Sequence, residues 1–129
     1  MTHRDLPLQN KLNGLKLLLV EDDFLIQLDL QTLLEGAGAR VVTAATLREA
    51  EELIAEPYDI AILDIRLPDG EVKPVADELA ARQTPIIFHS GNTETVHWLD
   101  GFPNAVAFSK PVDETVLIDA VRHYSSKAA

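Results

Sequence analysis

Short apolar runs alternate with longer amphipathic segments along this chain, and that alternation restricts the fold more than any other feature. Residues 16–20 (KLLLV) form an uninterrupted apolar run, the signature of a strand covered on both faces. Residues 24–37 set Phe24, Leu25, Leu28, Leu33, Leu34 and Ala37 at helical spacing, and Gly36 and Gly38 stop the pattern as C-terminal glycines do. Residues 40–44 (RVVTA) read as a second strand. Thr46, with Glu49 three places on, makes a capping box for a helix reaching about residue 55. There follow a third strand (59–63, DIAIL), a third helix (72–82), a fourth strand (85–88, PIIF), a short helix around 94–99 and a fifth strand (105–108). A closing helix (113–124) carries Val116, Leu117, Ala120, Val121 and Tyr124 on one face. Strands alternating with helices in this way predict an α/β fold, a doubly wound, five-stranded parallel sheet with helices on both faces.

A chain of 129 residues builds one such core, with no internal repeat or interdomain linker. The polar residues 1–14, with Asn10, Asn13 and Gly14, read as a flexible extension, leaving 15–126 as the domain. No apolar run approaches the roughly 18 residues of a membrane span, and the first 14 residues hold no secretory signal, so a cytoplasmic setting is expected. The absence of cysteine excludes disulfides, thiolate zinc sites and a cysteine nucleophile. Asp and Glu number 21 against 11 Lys and Arg, a net charge of −10. That balance argues against nucleic acid and against anionic membrane, because phosphate affinity rests on Lys and Arg displacing counterions.

In a doubly wound sheet, ligands gather at the carboxyl ends of the strands. The first strand leads into Glu21-Asp22-Asp23, the third into Asp64, the fourth into His89-Ser90-Gly91 and the fifth into Ser109-Lys110-Pro111. Each has a plainer reading alone: Asp23 caps the next helix, Ser90 forms a turn, Lys110 is a solvated charge, and one Asp at a strand end is unremarkable. Their joint placement on one rim is what points to chemistry. Clustered carboxylates suit Mg²⁺, a hard cation that takes oxygen ligands and keeps several waters. An Asp beside such a metal can attack phosphorus to give an aspartyl-phosphate. Metal and ammonium together would neutralise the phosphoryl oxygens, and a hydroxyl would bind one of them.

The segments LLLVEDD, ILDIRLPDGE, IIFHSG and FSKP, in that order, resemble the motifs of response-regulator receiver domains over about residues 15–125. The resemblance implies a flavodoxin-like sheet with strand order 2-1-3-4-5. It also implies that Asp22 binds Mg²⁺ directly and Glu21 through water, that Asp64 is the phosphoacceptor, and that the backbone carbonyl of Arg66 completes the protein's metal ligands. Ser90 and Lys110 match the family's hydroxyl and lysine positions, and the Lys110–Pro111 peptide is expected to be cis. The implied function is that of a single-domain regulator. It would take a phosphoryl group from a histidine kinase phosphohistidine, or from a phosphotransfer protein, and signal to a downstream protein by contact. Such a domain promotes its own phosphotransfer and dephosphorylation without being an enzyme in the ordinary sense. It would be a monomer or a weak homodimer through the fourth helix, fifth strand and last helix.

The pattern departs from the family's in places. The family usually carries Tyr or Phe three residues before the lysine, where this chain has Ala107. Phe108 follows, and strand alternation turns it to the opposite face. Val72 stands where glycine often follows the LPDGE-type turn. PIIFHSG, Pro103 downstream and the missing aromatic are similar to the FAT GUY subgroup, stand-alone regulators of alphaproteobacteria paired with HWE or related kinases. Here the middle reads Phe-His-Ser-Gly-Asn rather than Phe-Ala-Thr-Gly. His89 lacks partners for a metal or phosphohistidine role, which favours packing. Trp98 is either a core residue or an exposed anchor for a partner. The Arg66 side chain either meets the phosphoryl group or pairs with an acidic neighbour.

Other functions fit less well. A Mg²⁺-dependent phosphohydrolase with an aspartyl intermediate generally carries a second Asp two places after the nucleophile, where this chain has Arg66. A degenerate receiver acting only as a binding module is at odds with the full set Glu21, Asp22, Asp64, Ser90 and Lys110, although Ala107 leaves it open. A nucleotide-binding Rossmann domain needs a glycine-rich turn after the first strand, which here leads into EDD. The chain ends about five residues after the last helix, so output is expected through a partner, or the domain is a phosphate sink or shuttle.

Overall fold

The computed structural model describes residues 11–91 and 95–125. Its elements are β1 (Lys16–Val20), α1 (Phe24–Gly36), β2 (Arg40–Ala44), α2 (Leu47–Leu53), β3 (Ile60–Leu63), β4 (Arg66–Leu67), β5 (Gly70–Glu71), α3 (Lys73–Ala81), β6 (Ile86–Ser90), α4 (Thr95–Gly101), β7 (Val106–Ser109) and α5 (Glu114–Tyr124). The main sheet runs β2-β1-β3-β6-β7 with every pair parallel. This is the expected 2-1-3-4-5 order of a flavodoxin-like fold. The small antiparallel hairpin β4–β5 is additional, two residues per strand and too short to carry a periodic signal.

Strand alternation sorts the core into two halves. Leu18, Val20, Ala61, Leu63 and Phe88 face one side, with Ala50 of α2, Val75, Ala76 and Leu79 of α3, and Phe102. Leu17, Leu19, Ile60, Ile62 and Ile87 face the other, with Leu30 and Leu34 of α1 and Leu117, Ile118 and Val121 of α5. β3 is buried throughout, which explains its unbroken apolar sequence.

Helix ends follow local chemistry. Asp23 caps α1 by accepting from the Ile26 N–H at 3.0 Å, and Asp113 caps α5 by accepting from Thr115 and Val116. Thr46 accepts from the Glu49 N–H at 3.1 Å, and Glu49 reaches back to the Ala45 N–H at 2.7 Å. The capping box is therefore present, closed one residue earlier than the motif implies.

Four expectations need correction. The apolar stripe proposed for α1 is half right: Leu34 and Ala37 are buried and Leu33 packs beside them, but Phe24 is 71% exposed, Leu25 68% and Leu28 47%, and Ile26 and Leu30 take the inward places of the first turns. At 3.6 residues per turn, Phe24 and Leu28 lie roughly opposite the Ile26–Leu30–Leu33 line. On α5, Val116 and Tyr124 are exposed and Ile118 takes an inward place. β6 runs on to Ser90 because His89 and Ser90 pair with Phe108 and Ser109 of β7. Finally, residues 11–14 are not an extension. Leu12 is fully buried against the α1–α5 side, its N–H donates to the Ala37 carbonyl at 2.8 Å, and Lys11 pairs with Asp119 at 3.2 Å. Residues 1–10 of the expected extension lie outside the described residues. Among the described residues, no helix is long and apolar enough to cross a membrane.

Candidate functional site

The parallel sheet delivers its strand ends to one rim, where Glu21, Asp22, Asp64 and Lys110 come together. Asp64 leaves β3 with its N–H bonded to the Val20 carbonyl at 2.9 Å, which sets it beside the end of β1. Glu21 leaves β1 with its N–H on the Ala44 carbonyl at 2.9 Å. One ligand oxygen from each of Glu21, Asp22 and Asp64 lies within 4.8 Å of the others. Glu21 and Asp64 are buried, and Asp22 is exposed. From the far side Lys110 enters, its Nζ 2.7 Å from Glu21 Oε1 and 2.9 Å from Asp64 Oδ2. The Lys110 N–H donates to the Ser90 carbonyl at 2.9 Å, so the ends of β6 and β7 are tied where Ser90 and Lys110 emerge. The Lys110–Pro111 peptide is cis, as the resemblance implies.

Charge at this rim is out of balance. Burial pushes the Glu21 carboxyl up to about 7, Asp64 adds to the rise, and Lys110 opposes it. Burial lowers the Lys110 ammonium, but its hydrogen bonds to Glu21 and Asp64 outweigh that and hold it above the ordinary lysine range. Three carboxylates around one ammonium leave surplus negative charge, and the ligand atoms that Glu21, Asp22 and Asp64 offer are all carboxylate oxygens. Such a set fits a hard divalent cation.

The remaining candidates resolve individually. Asp23 takes the plainer role of helix cap. Arg66 opens the β4–β5 hairpin, paired in register with Glu71, and its side chain is exposed. Val72 is fully buried and donates to the Ile65 carbonyl at 2.8 Å, so the position after the turn is a packed core residue, and the turn's own glycine is Gly70, at φ +144°. Trp98 packs into the core: it meets Phe88 edge-on at 5.7 Å and stacks on Phe102 at 6.1 Å between ring centres. Ala107 packs on that same half, whereas Phe108 packs on the opposite one, as strand alternation requires.

His89 is buried and borders a groove of about 370 Å³ between α1 and the start of α5, with Ile26, Leu30, Leu33 and Val112. Burial, and the positive charge of Lys110 after it, push its imidazole down to about 4, so it is neutral at ordinary pH.

Two residues escaped sequence reasoning. Asp69, at the hairpin tip, accepts from the N–H groups of Leu47 and Arg48 at 2.8 and 3.0 Å, capping α2 from another segment. Gln27 on α1 donates to the Glu21 carbonyl at 2.9 Å and the Ala44 carbonyl at 3.2 Å. The LPDG turn marks Asp69 as a turn residue, but nothing local signals its partner. Nothing local signals Gln27 at all.

Residues 17–122 match the family described as response regulator receiver domain. Among solved structures, a response regulator receiver protein from Sinorhizobium medicae WSM419 is similar with a TM-score of 0.78 and 25% identity, covering 85% of this chain and 93% of that one. The non-phosphorylated HemR receiver domain from Leptospira biflexa gives a TM-score of 0.75 at 29% identity, covering 86% and 94%. Among curated proteins, sensor protein TorS of Escherichia coli (strain K12) is 29% identical over 120 residues, 88% of this chain and 13% of TorS. The chain spans between 13% and 42% of the length of the curated relatives it matches.

Proposed function

This chain belongs to the response regulator receiver domain family, and on that premise we propose that Asp64 accepts a phosphoryl group from a phosphohistidine with Mg²⁺ as cofactor. The observation that carries the reading is the placement of Lys110 Nζ between Glu21 and Asp64, at 2.7 and 2.9 Å. Glu21, Asp22, Asp64 and the backbone carbonyl of Arg66 would hold the metal, which supplies positive charge against the phosphoryl oxygens when bound.

The chain's own residues do the rest. A carboxylate oxygen of Asp64 attacks phosphorus, an O–P bond forms, and the donor's N–P bond breaks with the imidazole leaving on its electron pair. The Lys110 ammonium then has a phosphoryl oxygen to bind in place of a bare carboxylate, and the Ser90 hydroxyl is the second donor on that rim. Because both residues leave β6 and β7, their shift toward the phosphoryl group is the event a partner reads.

The donor is a sensor histidine kinase of the HWE or a related class, or a phosphotransfer protein. Kinship with a sensor protein and the FAT GUY-like PIIFHSG stretch support this. The receptor is a downstream protein read by contact in the cytoplasm, or the domain is a phosphate sink or shuttle.

The test is an intact mass after incubation with Mg²⁺ and acetyl phosphate, beside Asp64→Asn. A gain of one phosphoryl group, lost in the variant, is expected. Labelling that persists in Asp64→Asn would place the acceptor elsewhere.

A further inference from the structure

The carbonyl of Glu21 belongs to the peptide that joins Glu21 to Asp22, the two carboxylates at the end of β1. The β1–β2 register ends at Val20 opposite Ala44, so this carbonyl has run past the sheet's own hydrogen-bond ladder. A half-buried main-chain oxygen there still requires a donor from outside the ladder. Gln27 supplies it. Asp23 caps α1, and the Gln27 N–H bonds to the Asp23 carbonyl at 2.9 Å, so the first turn of the helix is fixed on its cap. From that turn the Gln27 Nε2 donates to the Glu21 carbonyl at 2.9 Å and to the Ala44 carbonyl at 3.2 Å. The Glu21 N–H is held by the Ala44 carbonyl as well. Both polar groups of the Glu21 backbone are therefore pinned, and one side chain ties the ends of β1 and β2 together.

We propose that Gln27 is a positioning residue for the metal-binding pair: it fixes the Glu21–Asp22 peptide so that the two carboxylates are preorganised for Mg²⁺. This rests on the receiver reading of the site given above. The residue type suits the task. A primary amide carries two N–H donors on one nitrogen, which lets it satisfy both carbonyls at once.

The test is calorimetric titration of Mg²⁺ into the full chain, its Gln27→Met variant and its Gln31→Met variant. The last removes the same amide one turn further along α1, where Gln31 Nε2 donates to Glu35 at 3.5 Å. Gln27→Met should weaken Mg²⁺ binding about tenfold, within the range for loss of groups that orient metal ligands, and Gln31→Met should leave it unchanged. Phosphoryl uptake by Gln27→Met should require correspondingly more Mg²⁺ and reach nearly the parent rate at saturation, a split that a general loss of stability does not produce. In the metal-free protein the Glu21 carbonyl ¹³C resonance should move upfield in Gln27→Met, a readout independent of activity. Gln27→Asn, polar but one methylene too short to span both carbonyls, serves if the Met variant folds poorly, and it should weaken Mg²⁺ in the same way. Equal Mg²⁺ affinity in the parent and the Gln27 variants would overturn the proposal while leaving the receiver reading intact. A parent chain that binds no Mg²⁺ would overturn that reading, and the proposal with it.

Discussion

Lys110 and Asp64, 46 residues apart in sequence, are joined by a 2.9 Å ion pair at the rim of the sheet, and the same ammonium reaches Glu21. Lys110 is the cation that makes the buried Glu21 and Asp64 tolerable together. Lys110→Ala should therefore destabilise the metal-free protein by about 3 kcal/mol, the cost of leaving buried carboxylates without their partner. Mg²⁺ should recover part of that loss. Urea denaturation in EDTA and in excess Mg²⁺ checks this, and a variant as stable as the parent in EDTA would contradict it. With acetyl phosphate, the variant should still take some label but show a blunted conformational response.

Ala107 pairs in register with Phe88, whose ring touches both Trp98 and Phe102. The side of β7 where the family usually places an aromatic thus faces a half-core already furnished with three aromatic rings. Ala107→Tyr should press on this cluster and cost about 1–3 kcal/mol, as overpacking does. Trp98 is the only tryptophan, so its emission reports the displacement directly. A red shift is expected; unchanged emission and stability would mean the added ring finds room outside the cluster.

His89 ties stability to pH. Its imidazole is held at about 4 in the fold against an ordinary value of 6.5, so the unfolded chain binds the proton more readily. Stability from keeping His89 neutral is complete above pH 6.5 and is lost as pH falls toward 4, by at most about 3 kcal/mol. His89→Leu should remove this dependence. Denaturation of both proteins at pH 7.5 and 4.5 measures it, and parallel losses in the two would exclude His89 as the source.

Asp69 holds the hairpin below Asp64 against the first turn of α2. Asp69→Ala should speed hydrogen exchange at the Leu47 and Arg48 amides and lower Tm, while Asp69→Asn, which keeps an acceptor, should preserve much of the protection. Exchange at those two amides that is unaltered in Asp69→Ala would show that the cap is not formed in solution.

What the sequence alone determined is the part of the fold governed by short-range chemistry. Unbroken apolar runs such as KLLLV and DIAIL mark doubly covered strands. Thr46 and Glu49 cap a helix from three residues apart, and alternation along β7 places Ala107 and Phe108 on opposite faces. The parallel topology made the rim readable too, because every strand of such a sheet delivers its following residues to the same end. Glu21, Asp22, Asp64, Ser90 and Lys110 could be brought together on paper for that reason. Only the tertiary structure decided which apolar residues of α1 are inside, since Phe24, Leu25 and Leu28 are as hydrophobic as Ile26, Leu30 and Leu34 and differ only in where the sheet lies beneath the helix. The same holds for Leu12 under the Ala37 carbonyl, for Asp69 capping a helix 22 residues upstream, and for Gln27 clasping the ends of two strands. Burial and hydrogen bonding between distant segments depend on how elements pack, and no short window of sequence holds Leu12 with Ala37, Asp69 with Leu47 or Gln27 with Ala44.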